Sequence, residues 1–441
     1  MNDTGLNARP APWLGVIADD VTGATDLAGY VARSGSTTIQ FFGVPNARTA
    51  IPADVDCVIV ALKSRSTPPE EAVADSLAAH DWLASIGVER IYVKYCSTFD
   101  STDRGNIGPV LDALAERTGE REVIVCPSAP ENGRTVYQGK LFVWGQTLDE
   151  SPLREHPVNP MRDADLRRLL VAQSRESVGL VPWQVVAGGG TAVAEALATE
   201  ASAGRRHVVV DALDDADLDS IAEVALTHRL ATGSAGLAAA MARKVGLARS
   251  GPAPFVVPSG DAVVLSGSCS AATRRQVELF RAQNPSFELD PIRLAEGSQF
   301  VDDAVSFVEA SPAGSAPLVY STADPEQVAH AQDVLGVQRA ASIVEDALGE
   351  VASRLRASGR RHFVIAGGET SGAVVHALGV DSIVIGPEIA PGVPLTVSAG
   401  DHPVALVLKS GNFGGERFFT EALGRLRDLT PTPAPMGGTP S

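Results

Sequence analysis

The chain has 441 residues, of which 44% are hydrophobic and 20% are charged, and its formal net charge is −17. This length and balance predict two or three globular domains with sizeable cores, and the negative charge disfavours nucleic acid and anionic membranes as partners. The four cysteines form no CxxC pair, so we expect a reducing compartment and no metal site. Because neither a signal-peptide pattern nor a long apolar run is present, we expect a cytoplasmic protein.

Short apolar runs alternate with longer, Ala-rich amphipathic stretches through the first half of the chain. In chain order we predict a strand at Leu14–Ala18, a helix at Ala24–Ser34, a strand at Asp56–Leu62, a helix from about Pro69 to Ile86, and strands at Arg90–Tyr95, Glu122–Cys126, Val181–Val186 and His207–Asp211. Such alternation indicates βαβ units in a mostly parallel sheet. The stretch from Gly139 to about Pro160 has no clear periodicity and stays unassigned.

Residues 249–260 contain three prolines and two glycines, which is typical of a linker. A second series of strands follows, at Asp261–Leu265, Pro317–Tyr320, Arg361–Ala366, Ser382–Ile385 and Pro403–Leu408. We therefore predict an α/β protein with two domains, 1–248 and 261–428. Each would have a mostly parallel sheet flanked by helices, the active site would lie in the cleft between them, and 429–441 would be a disordered tail.

Ligands of open parallel sheets bind beyond the carboxyl ends of the strands, and polar residues follow three strands of the first half. Asp19 and Asp20 follow the first strand, where paired carboxylates can orient a hydroxyl or take a proton, or simply cap a helix. Lys63 and Arg65 follow the second strand, either to grip a carboxylate or as an exposed basic loop.

After the next strand, Lys94 is followed by a run of hydroxyl and carboxyl side chains. This array suits a polyhydroxylated ligand, although a capping loop would also use such residues; its candidates are Ser97, Thr98 and Asp100. The connection 126–139, with Glu131, Asn132 and Arg134, is long enough to be either functional or a solvated surface loop.

Three strands of the second half lead into loops of small residues and then into helices, at 265–276, 366–373 and 408–415. Backbone N–H groups at helix N-termini bind anions such as phosphate, and glycines let the backbone approach a ligand closely. Each loop alone is a weak signal, but three in one domain favour a nucleotide. Lys409 could neutralise phosphate or be a solvated side chain. No Walker A, GxGxxG or GxSxG motif is present.

Taken together, four segments carry a resemblance to a known family. They are Ala18-Asp-Asp-Val-Thr-Gly-Ala24, Lys94-Tyr-Cys-Ser-Thr-Phe-Asp-Ser-Thr102 with its continuation Gly105-Asn-Ile-Gly-Pro-Val110, Pro130-Glu-Asn-Gly-Arg-Thr-Val-Tyr-Gln-Gly139 and His156-Pro-Val-Asn-Pro-Met161. With these segments the chain resembles the four-carbon acid sugar kinase family from about Leu14 to Leu426, with Val21 where Phe is common. The resemblance implies an N-terminal sugar-acid-binding domain and a C-terminal nucleotide-binding domain.

The resemblance also implies an activity that uses ATP and Mg²⁺. The first segment leaves D-threonate, D-erythronate and 3-oxo-tetronate open as substrates, whereas the three longer ones favour phosphorylation of the 4-hydroxyl of 3-oxo-tetronate, giving a 4-phospho product and ADP. A non-catalytic sugar-acid sensor is the remote alternative. The implied partners are the sugar acid and ATP, with neither nucleic acid nor membrane, and a homo-oligomer is possible.

The residue roles that follow are expectations. Asp20 is the first candidate and Asp19 the second for the base or hydroxyl-orienting group. The expected substrate-binding residues are Lys63, Arg65, Lys94, Ser97, Thr98 and Asp100. The expected ATP-binding residues are Ser266, Ser268, Gly367, Gly368, Glu369, Thr370, Ser371, Gly372, Ser410 and Gly411.

Overall fold

The computed structural model describes residues 11–47, 49, 51–52, 54–155, 159–246, 255–312 and 314–431. The described residues up to 246 form one compact unit, here called unit 1, and those from 255 onward form a second, unit 2. Of the predicted linker, 255–260 has no regular secondary structure and 249–254 lies outside the described residues. The predicted tail from 432 onward, and residues 156–158 of the fourth resembling segment, also lie outside them.

Unit 1 contains eleven strands and eight helices. The strands are β1 (Leu14–Ala18), β2 (Thr38–Phe42), β3 (Cys57–Ala61), β4 (Ile91–Lys94), β5 (Val123–Cys126), β6 (Arg134–Tyr137), β7 (Lys140–Val143), β8 (Gln146–Thr147), β9 (Ser177–Val181), β10 (Arg205–Val210) and β11 (Leu230–Gly233). The helices are α1 (Val21–Arg33), α2 (Pro69–Ser85), α3 (Ile107–Thr118), α4 (Leu166–Gln173), α5 (Trp183–Val186), α6 (Gly190–Ser202), α7 (Asp215–Ala225) and α8 (Ala235–Val245).

The main sheet of unit 1 has the order β2-β3-β1-β4-β11-β5-β10-β9, and all of its pairs are parallel. Its strands are short apolar runs buried on both faces, as expected when helices cover a parallel sheet. The register sets Ala61, Ala18 and Lys94 level with one another. The loops that follow β3, β1 and β4 therefore leave the sheet side by side.

Unit 2 contains seven strands and seven helices. The strands are β12 (Ala262–Ser266), β13 (Ser286–Glu288), β14 (Leu318–Tyr320), β15 (His362–Ala366), β16 (Ser382–Ala390), β17 (Val393–Ser398) and β18 (Ala405–Lys409). The helices are α9 (Ala271–Arg281), α10 (Pro291–Glu296), α11 (Gln299–Ala310), α12 (Pro325–Leu335), α13 (Val337–Ala357), α14 (Gly368–Ala377) and α15 (Phe418–Leu429).

The strands of unit 2 follow the order β13-β14-β12-β15-β18-β17-β16. The first five strands pair in parallel, whereas β17 is antiparallel to both β18 and β16. Each unit has its own cluster of buried apolar side chains. The predicted fold class, two α/β units with mostly parallel sheets and flanking helices, is confirmed. No helix in the described ranges is long and apolar enough to cross a bilayer.

One predicted strand is wrong in its position. The apolar run Val181–Val186 is not a strand, because β9 ends at Val181 and residues 183–186 form the single helical turn α5. Pro182 separates the two, and proline has no N–H to donate to a strand ladder. The carboxylate of Asp211 accepts a hydrogen bond of 2.9 Å from the backbone N–H of Trp183, which fixes the start of the turn.

The unassigned stretch after Gly139 belongs to a small antiparallel sheet of β6, β7 and β8. Its two tight turns use Gln138-Gly139 and Trp144-Gly145, with positive φ at all four residues. Such turns are usually signalled by Asn-Gly or Asp-Gly. Because the first turn residues are unusual and the strands are short, no hairpin was predicted here.

Candidate functional sites

The backbone brings three of the predicted loops of unit 1 together. The N–H of Asp19 donates to the carbonyl of Lys94 at 3.0 Å, which links the ends of β1 and β4. The N–H groups of Ser64 and Arg65 donate to the carbonyl of Asp19 at 3.0 and 3.2 Å, which adds the loop after β3. The side chains that follow the three strands therefore share one small volume.

Arg65 is the centre of an ion-pair network in that volume. Its Nε donates to Asp19 Oδ2 at 2.8 Å, and its Nη2 donates to Asp19 Oδ1 at 2.9 Å and to Asp20 Oδ1 at 2.6 Å. Its Nη1 lies 3.7 Å from Asp100 Oδ2. The guanidinium, predicted to hold a substrate carboxylate, thus already holds two carboxylates of the protein through Nε and Nη2, and Nη1 makes only the longer contact with Asp100.

Asp20 both caps a helix and belongs to this network, so the two interpretations left open by the sequence are compatible. Its Oδ2 accepts hydrogen bonds from the N–H of Gly23 at 3.0 Å and from Thr22 Oγ1 at 2.8 Å, at the start of α1. Burial alone would raise the pKa of Asp20, but the charges of Arg65 and Lys94 and these hydrogen bonds lower it to about 2. Asp20 therefore stays ionised.

The neighbouring carboxyl differs in its electrostatics. Burial raises the pKa of Asp19 above its ordinary value, although the charge of Arg65 acts against this rise. The two adjacent acids thus have pKa values pushed in opposite directions, a pattern that separates an acid–base group from a group that stays charged.

Lys94 is buried beside Asp20, and its Nζ donates to the carbonyl of Tyr95 at 2.9 Å. Gly23 makes room for this arrangement, since a Cβ there would lie 2.3 Å from Asp20 Oδ1 and 2.8 Å from Lys94 Nζ. Three carboxyl side chains, Asp19, Asp20 and Asp100, are thus gathered with two basic side chains, Arg65 and Lys94. We call these five residues the acid–base cluster.

The remaining predicted substrate residues, Thr98, Ser97 and Lys63, differ in how far they are buried. Thr98 is buried with its Oγ1 3.0 Å from Cys96 Sγ, and Ser97 is half-buried in the same loop. Between Thr98 and Asp100, the buried Phe99 has φ of +60° and packs edge-on against Tyr95 with ring centroids 5.3 Å apart. Lys63 is exposed and takes no part in the ion pairs of the cluster.

Sequence reasoning gave Asn106 no role, yet it holds the loop that carries Arg65. Its Nδ2 donates to the carbonyls of Ser64 at 2.6 Å and Thr67 at 3.1 Å, and its side chain is buried. In the sequence, Asn106 is one of many polar residues in the run after β4, so its place there does not distinguish it from its neighbours.

In unit 2, the three small-residue loops also leave the sheet side by side, because Ser266, Ala366 and Lys409 are level in the register of β12, β15 and β18. The loops meet at Ser268. A Cβ on Gly411 would lie 2.7 Å from Ser268 Oγ, and one on Gly367 would lie 3.3 Å from the Ser268 nitrogen. Gly367 also has φ of +130°, which a side chain would strain.

A cavity of about 490 Å³ lies against two of these loops. Its loop side consists of Gly267–Cys269 and Gly367–Thr370. Apolar side chains form much of the remaining lining: Leu289, Pro291, Ile292, Val328, Ala331, Ala340 and Val344. These come from α10, α12, α13 and the segment before α10, which carry no motif, so the sequence did not reveal them. Polar side chains complete the lining, among them Glu288, Asp290, His330, Glu345 and Glu369. The volume is in the range of small-molecule sites.

Not all predicted ATP-binding residues face this cavity. Ser268, Gly367, Gly368, Glu369 and Thr370 line it. Ser266 is fully buried, with its Oγ 2.7 Å from Thr322 Oγ1.

Two further residues of that prediction lie within α14. Ser371 is buried and donates to the carbonyl of Gly367 at 2.7 Å, and Gly372 is buried in the helix. Ser410 and Gly411 belong to the adjoining loop, which meets the cavity at Ser268.

Lys409 is fully buried, so the interpretation of a solvated side chain is wrong. Its Nζ donates to Thr273 Oγ1 at 2.9 Å and to the carbonyls of Gly411 and Ser410 at 3.0 and 3.1 Å. Burial lowers the pKa of Lys409 to about 8. The nitrogen therefore lies beneath the glycine loop rather than in solvent.

Two family models match the chain and divide it as the two sites do. Residues 14–241 match the sugar-binding N-terminal domain, and residues 263–419 match the nucleotide-binding C-terminal domain. The acid–base cluster lies in the first match, and the cavity and the three small-residue loops lie in the second.

Curated relatives match over nearly the whole chain. The 3-oxo-tetronate kinase of Pseudomonas fluorescens is 48% identical over 95% of this chain and 98% of the relative, and that of Cupriavidus necator is 47% identical over 94% and 97%. Two crystal structures share the fold at 42% identity. A protein from Salmonella typhimurium LT2 has a TM-score of 0.86, and the match covers 93% of this chain and 98% of that protein. One from Haemophilus influenzae has a TM-score of 0.81, and the match covers 93% of this chain and 100% of that protein. The chain belongs to the four-carbon acid sugar kinase family.

Proposed function

We propose that the protein transfers the γ-phosphoryl group of ATP to the terminal 4-hydroxyl of 3-oxo-tetronate, giving 4-phospho-3-oxo-tetronate and ADP. The observation that carries the choice of substrate is the 48% identity, over nearly the full length of both chains, with a relative named for that kinase activity. The two sites support the reaction class, because unit 1 offers an acid–base cluster and unit 2 offers a cavity edged by glycine loops.

In this proposal the acid–base cluster holds the sugar acid. Arg65 Nη1 and Lys94 interact with the substrate carboxylate or carbonyl oxygens, while Ser97, Thr98 and Asp100 hold hydroxyl groups. Lys63 adds a mobile positive charge at the edge of the site, consistent with its exposure. The mutual ion pairs keep the groups preorganised, and such positioning is the main source of catalysis in phosphoryl transfer.

Asp20 was the first candidate and Asp19 the second for the base or hydroxyl-orienting group, and the electrostatics favour dividing these two tasks between them. Asp20 is committed to the start of α1 and has a pKa of about 2, so it is a weak base that suits orientation of the 4-hydroxyl. Asp19, whose pKa is raised by burial, is the better group to accept the hydroxyl proton. The hydroxyl oxygen forms a bond to the γ-phosphorus, the bond to the β-phosphate oxygen breaks, and ADP leaves.

The cavity of unit 2 has the features that ATP requires. Its apolar walls fit the base, and the glycine loops at Ser268, Gly367–Thr370 and Ser410–Gly411 fit the phosphates. No group of three or more acidic, His or Cys side chains among the described residues is arranged to hold a metal ion. Mg²⁺ would therefore be held mainly by phosphate oxygens and water, and when bound it would neutralise phosphate charge.

A coupled assay of ADP formation with 3-oxo-tetronate, D-threonate and D-erythronate tests the proposal, with a reaction lacking any acid as the blank. We expect 3-oxo-tetronate to give the highest kcat/KM. Equal or faster turnover of D-threonate or D-erythronate would show that the substrate assignment is wrong. Binding of a sugar acid without ADP formation from any of them would instead identify a sensor.

A further inference from the structure

The glycine loop that follows β18 turns its carbonyl groups toward the protein interior. The Gly411 carbonyl accepts hydrogen bonds from Ser270 Oγ at 2.6 Å, Thr273 Oγ1 at 2.7 Å and Lys409 Nζ at 3.0 Å. The buried Gln276 then donates through Nε2 to three successive carbonyls, at 3.1, 3.1 and 2.9 Å. These belong to Phe413, Gly414 and Gly415.

This arrangement fixes the direction of the loop's N–H groups. In a planar trans peptide the C=O and the following N–H point in opposite directions. With the carbonyls of 410, 411, 413, 414 and 415 turned toward Lys409 or α9, the N–H groups of 411, 412, 414, 415 and 416 point away from them. Consecutive N–H groups that point outward from a loop form an anion-binding surface.

Lys409 is the one cation among the side chains that hold the loop, and no carboxylate balances it. Among the described residues no carboxylate acts on the pKa of Lys409, and the flanking strands β15 and β17 contain no acidic residue. Neutral Thr273 faces it from α9, and the Phe418 ring centroid of α15 lies 5.9 Å away. Helix α14 also packs against β18, and its ionisable residues, Glu369 and His376, are exposed. The charged residues on or next to α9 and α15 are exposed or half-exposed: Arg274, Arg275, Glu278, Arg281, Glu416, Arg417, Glu421, Arg425, Arg427 and Asp428.

A buried ammonium without a carboxylate partner is unfavourable in the unliganded protein. A phosphate group bound on the outer side of the loop would supply the missing negative charge across a single layer of backbone. Lys409 is also the only lysine in the chain after Lys244, so no other lysine can supply this charge within unit 2.

We propose that Lys409 is a positioning residue that holds the loop 410–415 in its phosphate-binding arrangement, and that its ammonium form is stabilised by the bound nucleotide. This inference rests on the proposed function, since it requires a nucleotide at unit 2. It assigns Lys409 a role beneath the loop and not a direct contact with phosphate. Because burial lowers the pKa of Lys409 to about 8 in the free protein, phosphate binding should raise it and draw a proton from solution at that pH.

The test is calorimetric titration of the full chain with ADP and Mg²⁺ at pH 8, in two buffers of different ionisation enthalpy. We expect the wild type to take up as much as about half a proton more per nucleotide than the Lys409→Met variant. We also expect Lys409→Met to weaken ADP binding roughly 10- to 100-fold, as for loss of a charge-assisted hydrogen bond. A merely structural role would not change the proton uptake.

Lys409→Arg and Thr273→Val separate the charge from the shape of the site. Arginine stays protonated at pH 8, so Lys409→Arg should bind ADP more tightly than Lys409→Met but without the extra proton uptake. Thr273→Val removes one hydroxyl from both Gly411 and Lys409, and should weaken ADP binding several-fold even if Lys409→Met does not fold. As a matched control, Lys244→Met removes an exposed lysine that pairs with Glu223 in unit 1. This variant should leave the affinity for ADP and the proton uptake on binding unchanged.

The outcomes distinguish this inference from the proposed function. A wild type that binds no ADP would contradict both. A wild type that binds ADP, together with a Lys409→Met variant of equal affinity and equal proton uptake, would overturn the role of Lys409 alone.

Discussion

Each unit has its candidate site at the carboxyl ends of its own parallel strands, yet the two sites use different chemistry. In unit 1, charged side chains carry the site, and Arg65 joins Asp19, Asp20 and Asp100 in one ion-pair network. In unit 2, backbone groups of three glycine loops and one buried lysine carry it. A side-chain site should be sensitive to changes of charge at constant shape, and a backbone site to added volume at constant charge. The following variants test that distinction.

The largest effect is expected for Asp19→Asn, which changes charge at nearly constant shape. Loss of a general base lowers kcat by roughly 100- to 10,000-fold, and we expect this fall in steady-state ADP formation with 3-oxo-tetronate. The KM for ATP should change less than threefold, because the substitution lies in unit 1. Asp219→Asn is the control, since Asp219 is a carboxylate of the same unit that pairs with Arg243 at 2.7 Å on the surface.

Asp20→Asn sharpens the same comparison. If Asp20 orients the hydroxyl and caps α1, its amide variant should lose less activity than Asp19→Asn but more thermal stability, by about 1 kcal/mol for a weakened cap. The opposite ranking of the two kcat values would return the role of base to Asp20.

The second effect in size is expected for Gly23→Ala, which adds volume to the side-chain site. The new Cβ would meet Asp20 Oδ1 at 2.3 Å and Lys94 Nζ at 2.8 Å, so one of them must move. We expect kcat/KM for the sugar acid to fall roughly 10- to 100-fold, as when a reacting group is misplaced by about 1 Å. Gly424→Ala in α15 is the control, because a Cβ there meets nothing within 4 Å and alanine favours a helix.

These two sites differ in how far the sequence could predict them. The positions of Asp19, Arg65 and Lys94 after strands were readable from apolar runs followed by polar residues. Their pairing was not, because it depends on the order β3-β1-β4, which places segments 45 residues apart in sequence beside each other. The sequence therefore predicted Arg65 as a group for the substrate and could not show that Asp19 and Asp20 already hold it.

In unit 2 the loops were readable from their glycines, and their convergence at Ser268 agrees with that interpretation. The apolar walls of the cavity could not be predicted, because residues such as Leu289 and Val344 look like ordinary core residues in the sequence. Only the fold shows that they surround a cavity. The burial of Lys409 was equally hidden, because a lysine beside a glycine loop is usually solvated. The partners of these side chains could not be predicted, because they are set by tertiary packing and not by the local sequence.

The third effect is expected for Gly411→Ala, which adds volume to the backbone site. A Cβ at Gly411 would lie 2.7 Å from Ser268 Oγ and 3.1 Å from Ser270 Oγ, so it would separate two of the three loops. We expect the KM for ATP to rise about tenfold, equivalent to about 1.4 kcal/mol, with the KM for the sugar acid within twofold. A rise in both KM values would show that the two sites do not divide the substrates between them.

The last prediction concerns stability and pH instead of turnover, and it isolates the buried lysine of the backbone site. The pKa of Lys409 is about 8 in the folded protein, below that of a lysine in an unfolded chain. Between these two values the unfolded state binds more protons, so the free energy of unfolding contributed by this group rises with pH. We expect the wild type to gain, relative to Lys409→Met, on the order of 3 kcal/mol from pH 7.5 to pH 10.5. Urea unfolding of unliganded protein measures this difference, and parallel pH curves for the two proteins would show that the ammonium is not destabilised by burial. The carboxyl groups of the acid–base cluster cancel in this comparison, because both proteins carry them unchanged in unit 1.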